Sequence, residues 1–196
     1  MNKMWVISLA VLLAACASNS STDTNNADTA GHSGHTNSAA ATADTSTTAT
    51  AGGNAMMDLH QVMNDAMQQM KKMQSTGDAD HDFTMMMKRH HQSAVDMAKI
   101  EVSNGADAQM KAMAQKMIDD QQREISQFDA FLQNHLPSGR SDYGKGVVGM
   151  MTEMSQMKME GGTLDAMFAS MMIPHHQDAV KMAEAYMKEA KNAELK

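Results

Sequence analysis

A chain of 196 residues with a formal charge of −7 has no basic face for nucleic acid or anionic lipid, and both are excluded as electrostatic partners. A single cysteine excludes an internal disulfide and any cysteine set for zinc. Twenty-five methionines, against one Trp, two Tyr and four Phe, make thioether sulfur the most abundant soft group in the chain.

The chain opens Met1-Asn2-Lys3, runs apolar from Trp5 to Leu13, and reaches Leu13-Ala14-Ala15-Cys16 before turning to Ser, Thr, Asn and Asp. This reads as a signal peptide over 1–16, too short to span a bilayer as a helix. Its last four residues resemble the lipobox of bacterial lipoproteins. That resemblance implies cleavage before Cys16, a lipid on its sulfur and a membrane anchor for the mature chain. Ala17 is not the aspartate associated with inner-membrane retention, so the expected place is the outer membrane facing the periplasm, or the cell surface. A plain secretory peptide with an incidental cysteine is the simpler alternative. In an oxidising compartment methionine is the sulfur ligand that escapes capture in a disulfide.

Residues 17–55 hold almost nothing large and apolar, so no core can form there and the segment is expected to be a disordered tether. As a coil it spans on the order of 35 Å, enough to hold a domain clear of a membrane surface. It carries His32 and His35, a small histidine cluster that is at best an auxiliary metal site.

From Met56 to the end, helix formers dominate, only Pro137 and Pro174 interrupt, and no segment alternates like a strand. The expected architecture is all-α, a bundle of four to five helices over 56–196. The first helix spans Met56 to Gln74 and carries His60, a further auxiliary candidate, with Met63, Met67 and Met70. The second begins with Asp80 as N-cap and ends near Asn104, with Gly105 supplying a left-handed closing residue. The third, capped by Asp107, bears Met110, Met113, Met117, Ile118, Ile125, Phe128 and Leu132 and stops before Pro137. After a connection over Ser138 to Gly146, a fourth runs from Val147 to Met159, with methionine at 150, 151, 154 and 157. Gly161 and Gly162 break it, and Thr163 caps the last helix. Pro174 removes a backbone donor and predicts a kink near Ser170.

The block Met-Met-x-x-His-His-Gln-x-Ala-Val-x-Met-Ala occurs at Met86 to Ala98 and again at Met171 to Ala183. Asp80 and Phe83 also recur 85 positions on. At about 3.6 residues per turn, Met86, His90 and Met97 share a face with Phe83 and Ala94, as do Met171, His175 and Met182 with Phe168 and Ala179. Thioether and imidazole together suit Cu(I) better than Mg, Ca or Mn. The candidate metal residues are His90, His91, His175, His176, Met86, Met87, Met97, Met171, Met172 and Met182. His90 and His175 lie on the apolar stripe and are the stronger ligand candidates, while His91 and His176 lie about 100° round the helix. The alternative is packing: methionine fills cores flexibly, and Met63, Met67, Met70, Met113 and Met117 are read as packing residues.

The segments Phe83 to Leu132 and Phe168 to Ala183 resemble a bacterial family known as domain of unknown function 305. Its pattern Met-Met-Ile-Pro-His-His stands intact at Met171 to His176. The first copy has Lys88 and Arg89 in place of Ile-Pro, and Ala114 and Gln122-x-Glu124-Ile125 resemble the family's next helix. The resemblance implies an exported, ferritin-like helical bundle, with copper and sometimes silver handled through Met and His. Aligning the copies sets Asn192 to Lys196 against Asp107 to Lys111. Either the first and fourth helices then complete the bundle, or a second chain does.

Two other functions compete. A di-iron carboxylate oxidase needs Glu-x-x-His on two helices, and that pattern is missing. A structural or envelope-stress lipoprotein needs no metal at all. The expected function is a non-enzymatic, lipid-anchored Cu(I) protein, with Ag(I) as the alternative ion. A copper-delivery or efflux partner is expected to exchange metal with it, and self-association into a homo-oligomer is consistent with the truncated second copy.

Overall fold

The structure is a computed structural model that describes residues 45–154, 161–193 and 195. The signal peptide, Cys16, His32, His35, most of the tether and Met157 lie outside the described residues, as do the side chains of Met150, Met151 and Met154. Among the described residues the protein is an all-α bundle of five helices. These are α1 (Thr45–Lys71), α2 (Ala79–Asn104), α3 (Ala108–Asn134), α4 (Tyr143–Met154) and α5 (Leu164–Met187). None is long and apolar enough to cross a membrane.

Helix α1 begins eleven residues before the expected Met56, inside the segment read as tether. Ala55 is buried against the core, so tertiary contact outweighs the weak helical signal of the preceding sequence. It also stops three residues short of Gln74, and Met73 is bonded through its amide to Met70 in a closing turn. Helix α4 starts at Tyr143, four residues before the expected Val147, because the Tyr143 ring is buried and its hydroxyl donates to the Met182 carbonyl at 3.1 Å.

The cap of α2 is Asp78 rather than Asp80: its carboxylate accepts from the His81 amide at 2.9 Å. Gly105, expected in the left-handed region, is extended at φ −60° and ψ 151°. Its missing side chain serves a close approach instead, since a Cβ there would fall 2.2 Å from Glu101 Oε1. The left-handed glycine is Gly77, at φ 80°, in the turn before α2. Asp107 and Thr163 cap α3 and α5 as expected, accepting from Met110 and Ala166. Helix α5 runs through Pro174 without a break in its helical span.

Helix α2 is central and packs on the other four. It lies antiparallel to α5, and the two sequence copies are related across that pair. Asp80, at the start of α2, accepts from the Lys191 and Asn192 amides at 3.1 Å each, just past the end of α5. Asp165, its counterpart at the start of α5, accepts from the Ala106 and Asp107 amides at 3.0 and 2.8 Å, just past the end of α2. These amide partners are again 85 positions apart. So the recurring aspartate ties each copy to the far end of the other, which is why Asp80 does not cap its own helix.

Two apolar clusters fill the bundle. One gathers Leu59 of α1, Ala94 and Met97 of α2, Ile118 of α3, and Phe168, Met171 and Met172 of α5. The other gathers Met70, Phe83, Met86, Met87, Phe128, Tyr143, Met182 and Tyr186, with the Phe83 and Tyr186 rings stacked 4.0 Å apart. Residues before one histidine pair thus share a cluster with residues after the other, as antiparallel pairing requires. The histidines sit between the two clusters. Helices α1 and α4 pack on this frame, so within the chain they supply the remaining layers.

Candidate metal centre

His90 and His175 meet where α2 and α5 cross, with ring centroids 3.6 Å apart and planes inclined by 32°. Both are almost wholly buried, at 2% and 3% exposure. Burial disfavours the imidazolium, and neighbouring histidines add repulsion, so both pKa values are held well below 6.5 and both rings are neutral at pH 7. His91 and His176 flank them, with ring centroids 6.3 and 6.0 Å from their own neighbours.

Hydrogen bonds decide which nitrogens remain available. His91 Nε2 lies 2.6 Å from Glu124 Oε2 of α3 and donates to it, which leaves Nδ1 enclosed without a partner. His176 Nδ1 donates to the Met172 carbonyl at 2.9 Å, and its Nε2 faces the Gln121 amide nitrogen at 3.4 Å. His176 is also held neutral by burial, partly opposed by that carbonyl. His175 Nε2 lies 3.0 Å from Ser93 Oγ. His90 Nε2 and His175 Nδ1 are both enclosed without a protein partner. Orphaned buried nitrogens are uncommon in folded proteins, and this histidine quartet holds three of them, one each on His90, His91 and His175.

All six motif methionines are buried, with none more than 5% exposed. Met86, Met87, Met171 and Met172 stand within about one helical turn of a histidine, whereas Met97 and Met182 stand seven residues away, about 10 Å along the axis. All six belong to the two apolar clusters, three to each. Among the packing methionines, Met63 and Met70 are buried and Met67 and Met117 half-buried, but Met113 is 37% exposed and does not serve the core. His60, on α1, is half-buried with Nε2 enclosed.

Among the described residues, one group brings three His or carboxylate ligand atoms within 4.8 Å of one another, and it is not the histidine quartet but Asp78, Asp80 and His135. Its carboxylates are already engaged. Asp78 accepts from His81 and Ser138, and Asp80 from Tyr186 at 2.6 Å and from two further amides. The quartet offers two adjacent imidazoles with thioethers nearby, which suits an ion of low coordination number rather than tetrahedral zinc. Imidazole lone pairs lie in the ring plane, so an ion shared by His90 and His175 requires one stacked ring to turn.

Sequence reasoning did not single out Ser93, Gln121 or Glu124 as partners of the histidines. A signal existed for Ser93, because its counterpart is Asp178 and the copies break there, between matched Gln92 and Ala94. Gln121 carried none, and Glu124 stood out only within the stretch that resembles the family's next helix.

No curated protein and no solved structure matches the chain. The family model described as Domain of unknown function (DUF305) matches twice, over residues 12–132 and 133–196, with one histidine pair in each match. By those two matches, which together cover most of its length, the chain belongs to the DUF305 family.

Proposed function

We propose that this protein is a lipid-anchored, periplasm-facing carrier of Cu(I), with Ag(I) as the alternative soft ion. It holds the ion for sequestration or for hand-over to a delivery or efflux partner. His90 and His175 supply nitrogen, and Met86, Met87, Met171 and Met172 supply sulfur; no reaction is catalysed. The observation that carries this reading is the buried, neutral imidazole pair with one unpartnered nitrogen on each ring. Leaving such atoms unsatisfied costs about 1–3 kcal/mol each, a cost that a bound ion removes. The surrounding thioethers favour a soft monovalent ion and survive in an oxidising compartment.

One observation favours a purely structural lipoprotein: all six motif methionines belong to the two apolar clusters. An iron oxidase gains no comparable support, because Glu124 is the one carboxylate hydrogen-bonded to the quartet among the described residues. Anaerobic Cu(I) titration against a chromophoric chelator, with Zn(II) as competitor, separates the readings. Copper binding that equimolar Zn(II) does not displace supports the carrier. Absence of Cu(I) binding leaves the structural reading.

A further inference from the structure

Ser93 stands almost one turn beyond His90 on α2 and is buried at 4% exposure. Its hydroxyl donates to the His90 carbonyl at 2.7 Å. The same oxygen lies 3.0 Å from His175 Nε2, across the α2–α5 contact. A hydroxyl has one proton, and here the carbonyl takes it, because a carbonyl can only accept. Towards the imidazole the oxygen therefore offers a lone pair, and Nε2 must carry the ring hydrogen. A neutral imidazole has one such hydrogen, so Nδ1 carries the lone pair. Nδ1 is the nitrogen of that ring that is enclosed without a partner.

We propose that Ser93 is a positioning residue for the histidine centre, fixing His175 as the Nε2–H tautomer and presenting Nδ1 as its donor atom. Its use for metal rests on the carrier reading above; the tautomer itself is a property of the metal-free protein. The repeat sharpens the point. Asp178, the counterpart of Ser93, is paired with Lys181 at 3.0 Å and makes no hydrogen bond to His90. The two halves of the centre are thus held differently, with Nε2 unpartnered on His90 and Nδ1 on His175. An ion between the two copies meets unlike nitrogens, although the sequence motif is duplicated.

The test is a long-range 1H–15N correlation spectrum of the metal-free, 15N-histidine-labelled full chain at neutral pH, for wild type, Ser93→Ala and Ser93→Thr. The wild type is expected to show His175 as a single Nε2–H tautomer. Ser93→Ala should give a mixture or the opposite tautomer, with Cu(I) affinity lower by about tenfold, a usual loss when a residue that orients a ligand is removed. Ser93→Thr retains the hydroxyl and should restore both. Wild-type His175 as Nδ1–H, or a Ser93→Ala spectrum unchanged from wild type, overturns the proposal. If Ser93→Ala does not fold, the wild-type spectrum still decides the tautomer. The predicted tautomer together with no Cu(I) binding would refute the carrier reading while leaving the ring's positioning by Ser93 intact.

Discussion

His90 and His175 are 85 positions apart in the chain and in ring contact in the fold, with centroids 3.6 Å apart. Each comes from an equivalent place in one copy of the repeat, and the antiparallel pairing of α2 and α5 brings both to the same level of the bundle. A pair this close acts as one unit, so a change at either ring is felt by both.

The pair should therefore bind one ion between them. In a double-mutant cycle of His90→Ala and His175→Ala, Cu(I) affinity is expected to fall almost as far in each single variant as in the double. The coupling should be about 1–3 kcal/mol. Strictly additive losses, each removing one ion, would show two independent sites.

Acid should loosen the same crossing in the metal-free protein. Both rings have folded pKa values below 6.5, so between the folded value and 6.5 the unfolded chain binds more protons. The stability contributed by the neutral rings is complete above pH 6.5 and is lost as the pH falls below it. Measured from pH 7 downward, the denaturant midpoint of His90→Gln should gain on that of the wild type, because the variant lacks this titration. An identical decline with pH in that variant would refute the assignment.

Glu101 gives a slope of opposite sign. It is wholly buried and occupies, at the end of α2, the place that Tyr186 occupies at the end of α5. Tyr186 donates its hydroxyl to Asp80; Glu101 faces Asp165, the counterpart of Asp80, with both its carboxylate oxygens enclosed without a donor. Burial first, then Asp165, raises its pKa from 4.5 to about 7, with Asp107 adding to the effect and Lys111 opposing it. The folded protein then holds the extra proton, so this contribution is complete below pH 4.5 and is lost as the pH rises through about 7. The full effect is on the order of 3 kcal/mol. Glu101→Gln removes this titration, so its midpoint should gain on that of the wild type as the pH rises from 5 to 8; a difference that stays constant with pH would contradict a protonated Glu101.

Asp80 should matter more to stability than its counterpart. It is buried at 4% exposure and receives a phenol and two amides, whereas Asp165 is more exposed. Asp80→Ala strands those donors and should cost about 3 kcal/mol, against about 1–2 for Asp165→Ala. Urea unfolding monitored by circular dichroism reads both, and equal losses would argue against this account of the two anchors.

Helical content, the caps at Asp107 and Thr163, and the duplicated histidine pairs were all legible in the sequence, because each depends on local spacing and local hydrogen bonds. Helical periodicity set His90 and His91 on different faces, but His91 is as buried as His90, at 4% against 2%, because α3 covers the flank through Glu124. Tertiary structure decided the rest. Asp80 looks like a cap in the linear chain but is drawn to the far end of the other copy. The six motif methionines recur in two matched sets, but antiparallel packing divides them between two clusters, Met97 with Met171 and Met172, and Met182 with Met86 and Met87. Which imidazole nitrogen is free depends on Ser93 and Glu124, and neither lies beside its histidine partner until α2 meets α5 and α3. A repeat in sequence determines equivalent residues; only packing determines that two equivalent residues touch, and which atoms they leave unpartnered.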